Sequence, residues 1–567
     1  MEAQAEQGHR PYVVVRVDEE HGWRVKRAPG IEFWSKAYGL THQLPADFVE
    51  RADVSSSPSG AECERLLPPH DGHYALVVIT PTWSLLATDP ARSIPLAFGE
   101  FRGRWLVDDR PLRLARAIDA NAVNADAALS VAMAGYTIDD TVLLDGVSVM
   151  GPGECVLLPD GQTPSRWRYH RFDPWPSVMD SADPQALRDG LAELLLSIVD
   201  EMMRGIGDRV LAVPLSAGRD SRLIVSAARH LGYRNVRTFA YGRPGNHEAR
   251  ASQAIAERLQ IPWQCVPVDH AGMRDHYQSS NWSAYQDYAD TLQSTTFVQD
   301  MPQVMGLVEQ GYLPDDAVMC NGNSGDFISG GHIPQAVRMG TPAAVDESCA
   351  VSARALYDRH FQLWQSLRTD DHRERVEAML LRALRRTCAR GEETVGSHGL
   401  YESVEFRDRQ TKYVVGGQRA YDFLRLEWRL PLWQRSLMDF FARLPLDLKV
   451  QQRLYADTLT HFDWGGVWRD IAVNRKVISP GWIRPVRWLA KAAHAPLGRQ
   501  SWQRFERRFL NYWMEAGSQW GLHNYRHIGR DRRGARNAVA WLTEAYLSRH
   551  GLAYDGRNSV DAGLRQQ

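Results

Sequence analysis

Val210-Leu-Ala-Val-Pro-Leu-Ser-Ala-Gly-Arg-Asp-Ser-Arg222 reads as a strand ending at Leu215, a turn of small residues over 216–221, and the start of a helix. A turn of this kind, at the C-terminal end of a parallel strand, gathers unpaired backbone N–H groups and the positive end of the helix dipole. Phosphate binds in such places. Ser216 and Ser221 add hydroxyl donors, while Asp220 would repel bare phosphate and suits a Mg²⁺ ion held against it. The chain contains no G-x-x-x-x-G-K-[ST] and no G-x-G-x-x-G after a strand, which excludes a Walker nucleotidase and a dinucleotide enzyme.

Outward from that loop, residues 186–270 alternate helix and strand. The strands are expected over Val210–Leu215, Val236–Tyr241 and Gln264–Val268, the helices from Ala186, over Leu223–Leu231 and over Glu248–Leu259. This spacing predicts a parallel α/β sheet. Residues 275–470 read as mainly helical, broken by one strand and a Gly-rich loop at Ala317–His332. Upstream, residues 10–165 carry short apolar or alternating runs (Tyr12–Val17, His73–Thr80, Trp83–Thr88, Trp105–Val107, Cys155–Leu158) with a loop at Val54–Gly60, which predicts a β-rich domain. We expect three segments: a β-rich domain over 1–178, the α/β domain over 179–480 and a basic, aromatic helical tail over 481–567.

The 567 residues are too many for one core, and 44% apolar with 24% charged residues is a globular composition. A formal charge of −1 offers no global field for nucleic acid. The six cysteines show no C-x-x-C pair and read as structural thiols of a cytosolic protein. No stretch reaches the ~18 apolar residues of a spanning helix, and the first ten residues have no signal-peptide core. Between Arg475 and Leu510 nine Lys/Arg face one acid, Glu506, with Trp482, Trp488 and Trp502 interleaved. That stretch is a solvated helical face, or a surface for anionic lipid at the inner face of the membrane or for an acidic substrate.

Ser216-Ala-Gly-Arg-Asp-Ser221 resembles the pyrophosphate loop of the asparagine synthetase and β-lactam synthetase superfamily of ATP pyrophosphatases. Further motifs in the right order support the resemblance. Ala317-Val-Met-Cys-Asn-Gly-Asn-Ser-Gly-Asp-Phe-Ile-Ser-Gly-Gly-His332 is similar to its second loop, Glu427-Trp-Arg-Leu-Pro-Leu432 to its Glu-x-Arg-x-Pro-Phe segment, and Asn474-Arg-Lys476 to the stretch carrying its lysine. Asp89-Pro-Ala-Arg-Ser-Ile-Pro-Leu96 and Gly146–Gly153 resemble signatures of its glutaminase domain. The resemblance implies an N-terminal Ntn-hydrolase-like sandwich followed by a parallel α/β ATP-pyrophosphatase domain. Lasso-peptide cyclases and homologues encoded with polysaccharide enzymes share this architecture.

The implied reaction uses ATP and Mg²⁺ to convert an acid to an acyl-adenylate, which an amine then attacks. Asp220 and Asp326 would hold Mg²⁺; Ser216, Ala217, Gly218 and Ser221 would cradle pyrophosphate, with Tyr241 and Gly322 beside the nucleotide. Lys476 would stabilise the charge of the intermediate. Glu248 falls near the family's acid behind the adenylate loop, and Glu427 reads first as an ion-pair partner of Arg429. Two departures matter. Residue 2 is Glu where glutamine-dependent members carry the nucleophilic cysteine, so glutamine hydrolysis is not expected. Asn323 stands where the family places Glu or Tyr to handle the amine, and a neutral amide is no general base. Ala217 replaces a glycine, which requires a negative φ there.

The resulting expectation is an amide-forming ligase acting without glutamine hydrolysis on a small-molecule, peptide or sugar acid. The alternatives are an ammonia-dependent asparagine synthetase and a catalytically degenerate nucleotide-binding scaffold at a membrane surface. Glutaminase-like domains of the family commonly pack as homodimers, which makes a dimer an expectation here.

Overall fold

The computed structural model describes residues 12–39, 58–60, 62, 67, 72–159, 163–175, 183–298, 300–338, 343–388, 394–473, 477–515, 517, 519–554 and 564–566. The chain forms two compact units, one of residues up to 123 with 144–171, the other of 124–143 with 172 onward. Residues 124–143 thus belong to the second unit, although the sequence places them inside the first 178. The loop expected at Val54–Gly60 lies mostly outside the described residues.

In the first unit, Arg24–Ala28, Ile31–Tyr38, His73–Ile79, Trp83–Thr88, Glu154–Pro159 and Ser165–Arg168 form a six-stranded antiparallel sheet. A second sheet of four strands joins Val13–Val15, Arg104–Asp108, Ala97–Phe101 and Ser148–Val149. His73–Ile79 and Trp83–Thr88 are buried on both faces, which is why they read as continuous apolar runs. Behind them Asp89 is fully buried and accepts four hydrogen bonds, from the amides of Tyr74 (3.2 Å), Ala91 (2.8 Å) and Ser93 (3.0 Å) and the Ser93 hydroxyl (2.6 Å). The Asp-Pro-Ala-Arg-Ser segment is therefore a turn wrapped around one carboxylate, which burial still pushes up to about 6.

The second unit is built on a parallel sheet of β1 (Leu211–Pro214), β2 (Val236–Gly242), β3 (Trp263–Pro267), β4 (Val318–Cys320) and β5 (Glu427–Arg429), in the order β3-β2-β1-β4-β5. β5 was not legible as a strand, because Glu427-Trp-Arg429 offers no apolar run of the kind that marks Val318–Cys320. Helix Pro184–Ile206 starts at a capping Asp183 with Pro184 in its first turn and buries Leu187, Leu191, Leu195, Ile198 and Met202 along one stripe. Helix Asp220–His230 begins three residues earlier than its apolar pattern suggests, so Asp220 sits in its first turn. Asn246 caps helix His247–Leu259 by accepting the Ala249 amide at 2.8 Å.

Residues 124–143 are tied down by a buried lysine. Lys412 Nζ donates to the carbonyls of Thr137 (2.8 Å) and Asp139 (2.5 Å) and to Asp408 Oδ1 (3.0 Å), and Asp408 Oδ1 also accepts the Asp139 amide at 2.9 Å. Lys412 belongs to the π-helical stretch Phe406–Val414, so this anchor fixes the stretch from behind. Lys412→Met would leave two buried carbonyls without their donor and Asp408 with only the Asp139 amide and Arg407 at 3.6 Å, and losing one partner of a buried ion pair costs about 3–5 kcal/mol. The urea midpoint of the second unit is expected to fall accordingly; an unchanged midpoint would remove the anchor from this account.

Candidate functional site

The strand order reverses between β1 and β4, and the loops leaving their C-terminal ends diverge there, which leaves a crevice. A cleft of about 400 Å³ occupies this place. Ser216, Gly218, Asp220 and Ser221 line it from the loop after β1 and Tyr241 from β2, while Gly322, Asn323 and Asp326 line it from the loop after β4.

The first loop is held by its own hydroxyls. The Ser216 amide donates to Ser221 Oγ at 3.1 Å, the Gly218 amide to Ser216 Oγ at 3.1 Å, and the two hydroxyls lie 3.2 Å apart. Ala217 does not line the cleft: it is 2% exposed, and its backbone avoids the left-handed region, so the missing glycine introduces no strain. Its carbonyl accepts Arg222 Nη2 at 3.0 Å. Arg222 is fully buried, lies over the Trp468 ring at 5.3 Å, and donates through Nη1 to the carbonyls of Val467 (3.0 Å) and Ile471 (2.8 Å). Burial and then the neighbouring Arg219 bring its pKa down to about 10, which leaves it charged. One guanidinium thereby staples the first loop to the segment that runs toward 474–476.

Gly322 and Gly325 let the second loop press against the first. A Cβ on Gly322 would lie 2.6 Å from the Ser221 amide nitrogen, and one on Gly325 would lie 2.6 Å from Asp220 Cγ. Through this approach the Asp326 amide donates to Asp220 Oδ2 at 3.0 Å, while Tyr455 donates to Asp220 Oδ1 at 3.0 Å. Burial, reinforced by the charge of Asp326, pushes Asp220 up to about 7. The side chain of Asp326 is 57% exposed because it faces the open cleft. Its enclosure on the other side would raise its pKa, but the hydrogen bond and charge of His332 hold it below the usual carboxylate range.

His332 bridges two acids, with Nε2 3.1 Å from Asp326 Oδ2 and Nδ1 2.5 Å from Glu405 Oε1. Burial would lower its pKa, yet Glu405 and Asp326 together lift it to about 10, so both ring nitrogens donate. The two cleft acids form an all-oxygen donor pair that suits a hard divalent cation such as Mg²⁺. Asp220 in particular is a partly buried carboxylate beside a like charge, the condition a cation relieves. Among the described residues no group of three or more His, Cys, Asp or Glu could hold a metal ion. A cation here would complete its shell with water and substrate phosphate.

Lys476 lies outside the described residues. Glu427 is away from the cleft lining and pairs with Arg209 (3.0 Å) and Arg429 (3.3 Å), as its structural reading expects. Glu248 is on the first turn of its helix and does not line the cleft. Sequence reasoning missed His332, Arg219, Arg409, Tyr413 and Gln452, all on the cleft wall. His332 had a signal, since it follows the paired glycines of the second loop. Gln452 had none: it enters through two consecutive left-handed residues, Gln451 (φ 59°) and Gln452 (φ 62°), a strain seen where a site imposes its geometry. Its amide accepts Arg219 Nη1 at 3.0 Å and donates to Ser329 Oγ at 2.8 Å. The Asn323 side-chain nitrogen is buried on the cleft wall with no hydrogen-bond partner among the described residues, a donor left for a ligand.

The asparagine synthase family matches residues 190–459. Among solved structures, glutamine phosphoribosylpyrophosphate amidotransferase from B. subtilis, complexed with ADP and GMP, is 14% identical over 46% of this chain and 76% of its own, with a TM-score of 0.18. The NH3-dependent NAD synthetase from Campylobacter jejuni, in complex with nitrate, is 11% identical over 27% of this chain and 62% of its own, with a TM-score of 0.18. An allosteric regulatory enzyme of purine biosynthesis is 13% identical over 43% of this chain and 62% of its own, also with a TM-score of 0.18. The chain thus spans less than two thirds of the latter two. No curated protein matches it significantly.

The Asp220 carboxyl gives the cleft a pH signature. Folded, it keeps its proton to about pH 7, whereas the unfolded chain releases it near 3.8. The folded state therefore binds more protons between these values, and this stabilisation is complete below the lower pKa and lost as pH rises through the higher. Asp220→Asn removes the slope. In metal-free buffer the Tm of the variant relative to wild type is expected to rise from pH 4 to pH 8; a difference constant in pH would contradict the assignment.

Proposed function

For a chain whose residues 190–459 match asparagine synthase, a family of ATP-dependent amide-forming ligases, we propose an enzyme that activates a carboxylic acid as its acyl-adenylate and passes the acyl group to an amine. The observation that carries this reading is the contact of two acid-bearing loops, Asp220 with Asp326, at the switch point of a parallel sheet. A catalytically degenerate scaffold has no physical reason to hold two carboxylates against each other.

In the first step a carboxylate oxygen of the acid attacks the α-phosphorus of ATP; the C(O)O–P bond forms, the bond to the β-phosphate bridge breaks, and pyrophosphate leaves. The Ser216 and Gly218 amides, the Ser221 hydroxyl and the N-terminus of helix Asp220–His230 receive that pyrophosphate, exchanging bonds within the loop for bonds to its oxygens. Asp220 and Asp326 would hold Mg²⁺, which when bound neutralises charge building on the phosphates. Arg219 and Arg409, the arginines of the wall, add fixed positive charge. In the second step the amine nitrogen attacks the acyl carbon and forms the C–N bond, the C–O bond to AMP breaks, and the proton the amine loses passes to the departing AMP phosphate. Asn323 orients a reactant by donating its amide and takes no proton. Arg222 ties the first loop to the carbonyls of 467 and 471, and Lys476 is assigned to the charge of the intermediate.

We also propose that the amine is not made from glutamine by this chain. Cys155, in the first unit, is fully buried within a sheet strand and unsuited to meet a substrate.

A second reading concerns where the enzyme works. Trp482 (56%), Val486 (43%), Trp488 (70%), Leu489 (61%) and Leu497 (68%) are exposed on and around helix Ile483–His494, whose opposite face packs Ile483 on Trp502 and Leu510. Arg484, Lys491 and Arg499 flank this patch, and no acid occurs from 475 to 505. A second copy would bring like charges together, so an anionic bilayer is the partner this face fits, through peripheral contact; no described helix can cross a membrane.

Two outcomes test these readings. With ATP, Mg²⁺ and a panel of acids and amines, wild type is expected to release AMP and pyrophosphate and Asp326→Ala to lose at least about 100-fold of that rate; full turnover in the variant would remove the metal site. Sedimentation with phosphatidylglycerol vesicles is expected to be salt-sensitive and to fall when Trp488 and Leu489 are both changed to Ser. Equal binding to neutral phosphatidylcholine would overturn the membrane reading.

A further inference from the structure

A second chamber of about 250 Å³ adjoins the cleft and shares His332, Arg409 and Tyr413 with it. Arg359, Arg409 and Arg536 line it together with Tyr136 and His360, and its wall contains no Asp or Glu. Arg536 Nη1 donates to the Arg359 carbonyl at 2.9 Å, which brings the two arginines side by side. Neither Arg359 nor Arg536 has an ion-pair partner among the described residues. The nearest acid behind the wall, Glu405, is fully buried and already shared: Oε1 lies 2.5 Å from His332 Nδ1 and 3.6 Å from Arg409 Nη1, and Oε2 lies 3.4 Å from His360 Nε2. Glu405 is thus already engaged by His332, His360 and Arg409. Burial, and then the charges of Arg507, Arg359 and Arg409, hold the Arg536 guanidinium below its ordinary pKa. The crowd is repulsive as it stands, and anions would relieve it.

We infer that the acid activated in the cleft is a polyanion, whose reacting carboxyl passes His332 toward the nucleotide while at least two further anionic groups rest on Arg359, Arg409 and Arg536 in the chamber. This rests on the ligase reading of the cleft and names its substrate class. One additional charge would be met by one guanidinium; three planar donors around a chamber without acids match several carboxylate or phosphate groups, which guanidinium binds in a bidentate manner. A carboxylic acid with further carboxylates and one carrying a phosphate supply the same chemistry. A neutral or hydrophobic acid would bury the arginines without partners.

The test is calorimetry on the full-length protein, with and without Mg²⁺ and the α,β-methylene analogue of ATP. The probes are propane-1,2,3-tricarboxylate, 3-phosphoglycerate and, as a monoanion, butyrate. At least one polyanion is expected to bind about tenfold or more tighter than butyrate, and Arg359→Gln and Arg536→Gln each to weaken it about fivefold or more, with affinity for the ATP analogue unchanged. The tighter of the two polyanions identifies the source. Polyanions no tighter than butyrate, or unaffected by either substitution in protein with a wild-type melting curve, overturn the inference. Failure is attributable: a polyanion that binds and responds to the substitutions while the nucleotide does not bind sinks the ligase reading, and the converse sinks the chamber.

Discussion

The hydrogen bond from the Asp326 amide to Asp220 Oδ2, 3.0 Å long, is the constraint on which the site depends. It requires the loop after β4 to lie against the first turn of helix Asp220–His230, an approach open only to glycine at 322 and 325. The same approach places one partly buried carboxylate beside another, an arrangement that is unfavourable for the protein alone and favourable once a cation is present. On the proposed reading, a ligand that brings positive charge completes the cleft.

The surroundings hold that unfavourable pair in register. Tyr455 donates to Asp220 from one side, and the protonated His332 clamps Asp326 from the other, itself secured by the buried Glu405. The π-helical stretch Phe406–Val414 carries Arg409 and Tyr413 to the wall, an irregular geometry common near functional sites. Lys412 fixes that stretch against residues 137–139, and Arg222 fixes the first loop against residues 467–472. Each link is a charge satisfied by backbone carbonyls or by an opposite charge, so the positions of the cleft cations depend on packing well outside the cleft.

The parallel sheet and the two loops that line the cleft were legible because they rest on local chemistry: an apolar strand, a small-residue turn, and a helix start. Ser216, Gly218, Asp220, Ser221, Tyr241, Gly322, Asn323 and Asp326 all line one cleft as that chemistry implies. Ala217 is the exception, since its neighbours face the cleft while its methyl group is buried. The rest required three dimensions. β5 carries two charges in its three residues and shows no apolar run, Gln452 reaches the wall through left-handed backbone that its residue type does not announce, and residues 124–143 pack with the second unit through a lysine 275 positions from Thr137. The arginines of the adjoining chamber come from segments near 359, 409 and 536, which no local pattern relates.

The central claim is that Asp220 and Asp326 form a metal-dependent nucleotide site. Calorimetric titration of ATP into the purified protein, with and without Mg²⁺ and alongside Asp220→Ala, tests it most directly. Binding that needs Mg²⁺ and is lost in the variant is the expected result. ATP binding of equal strength without Mg²⁺ and in Asp220→Ala, or none in folded wild type, would contradict it.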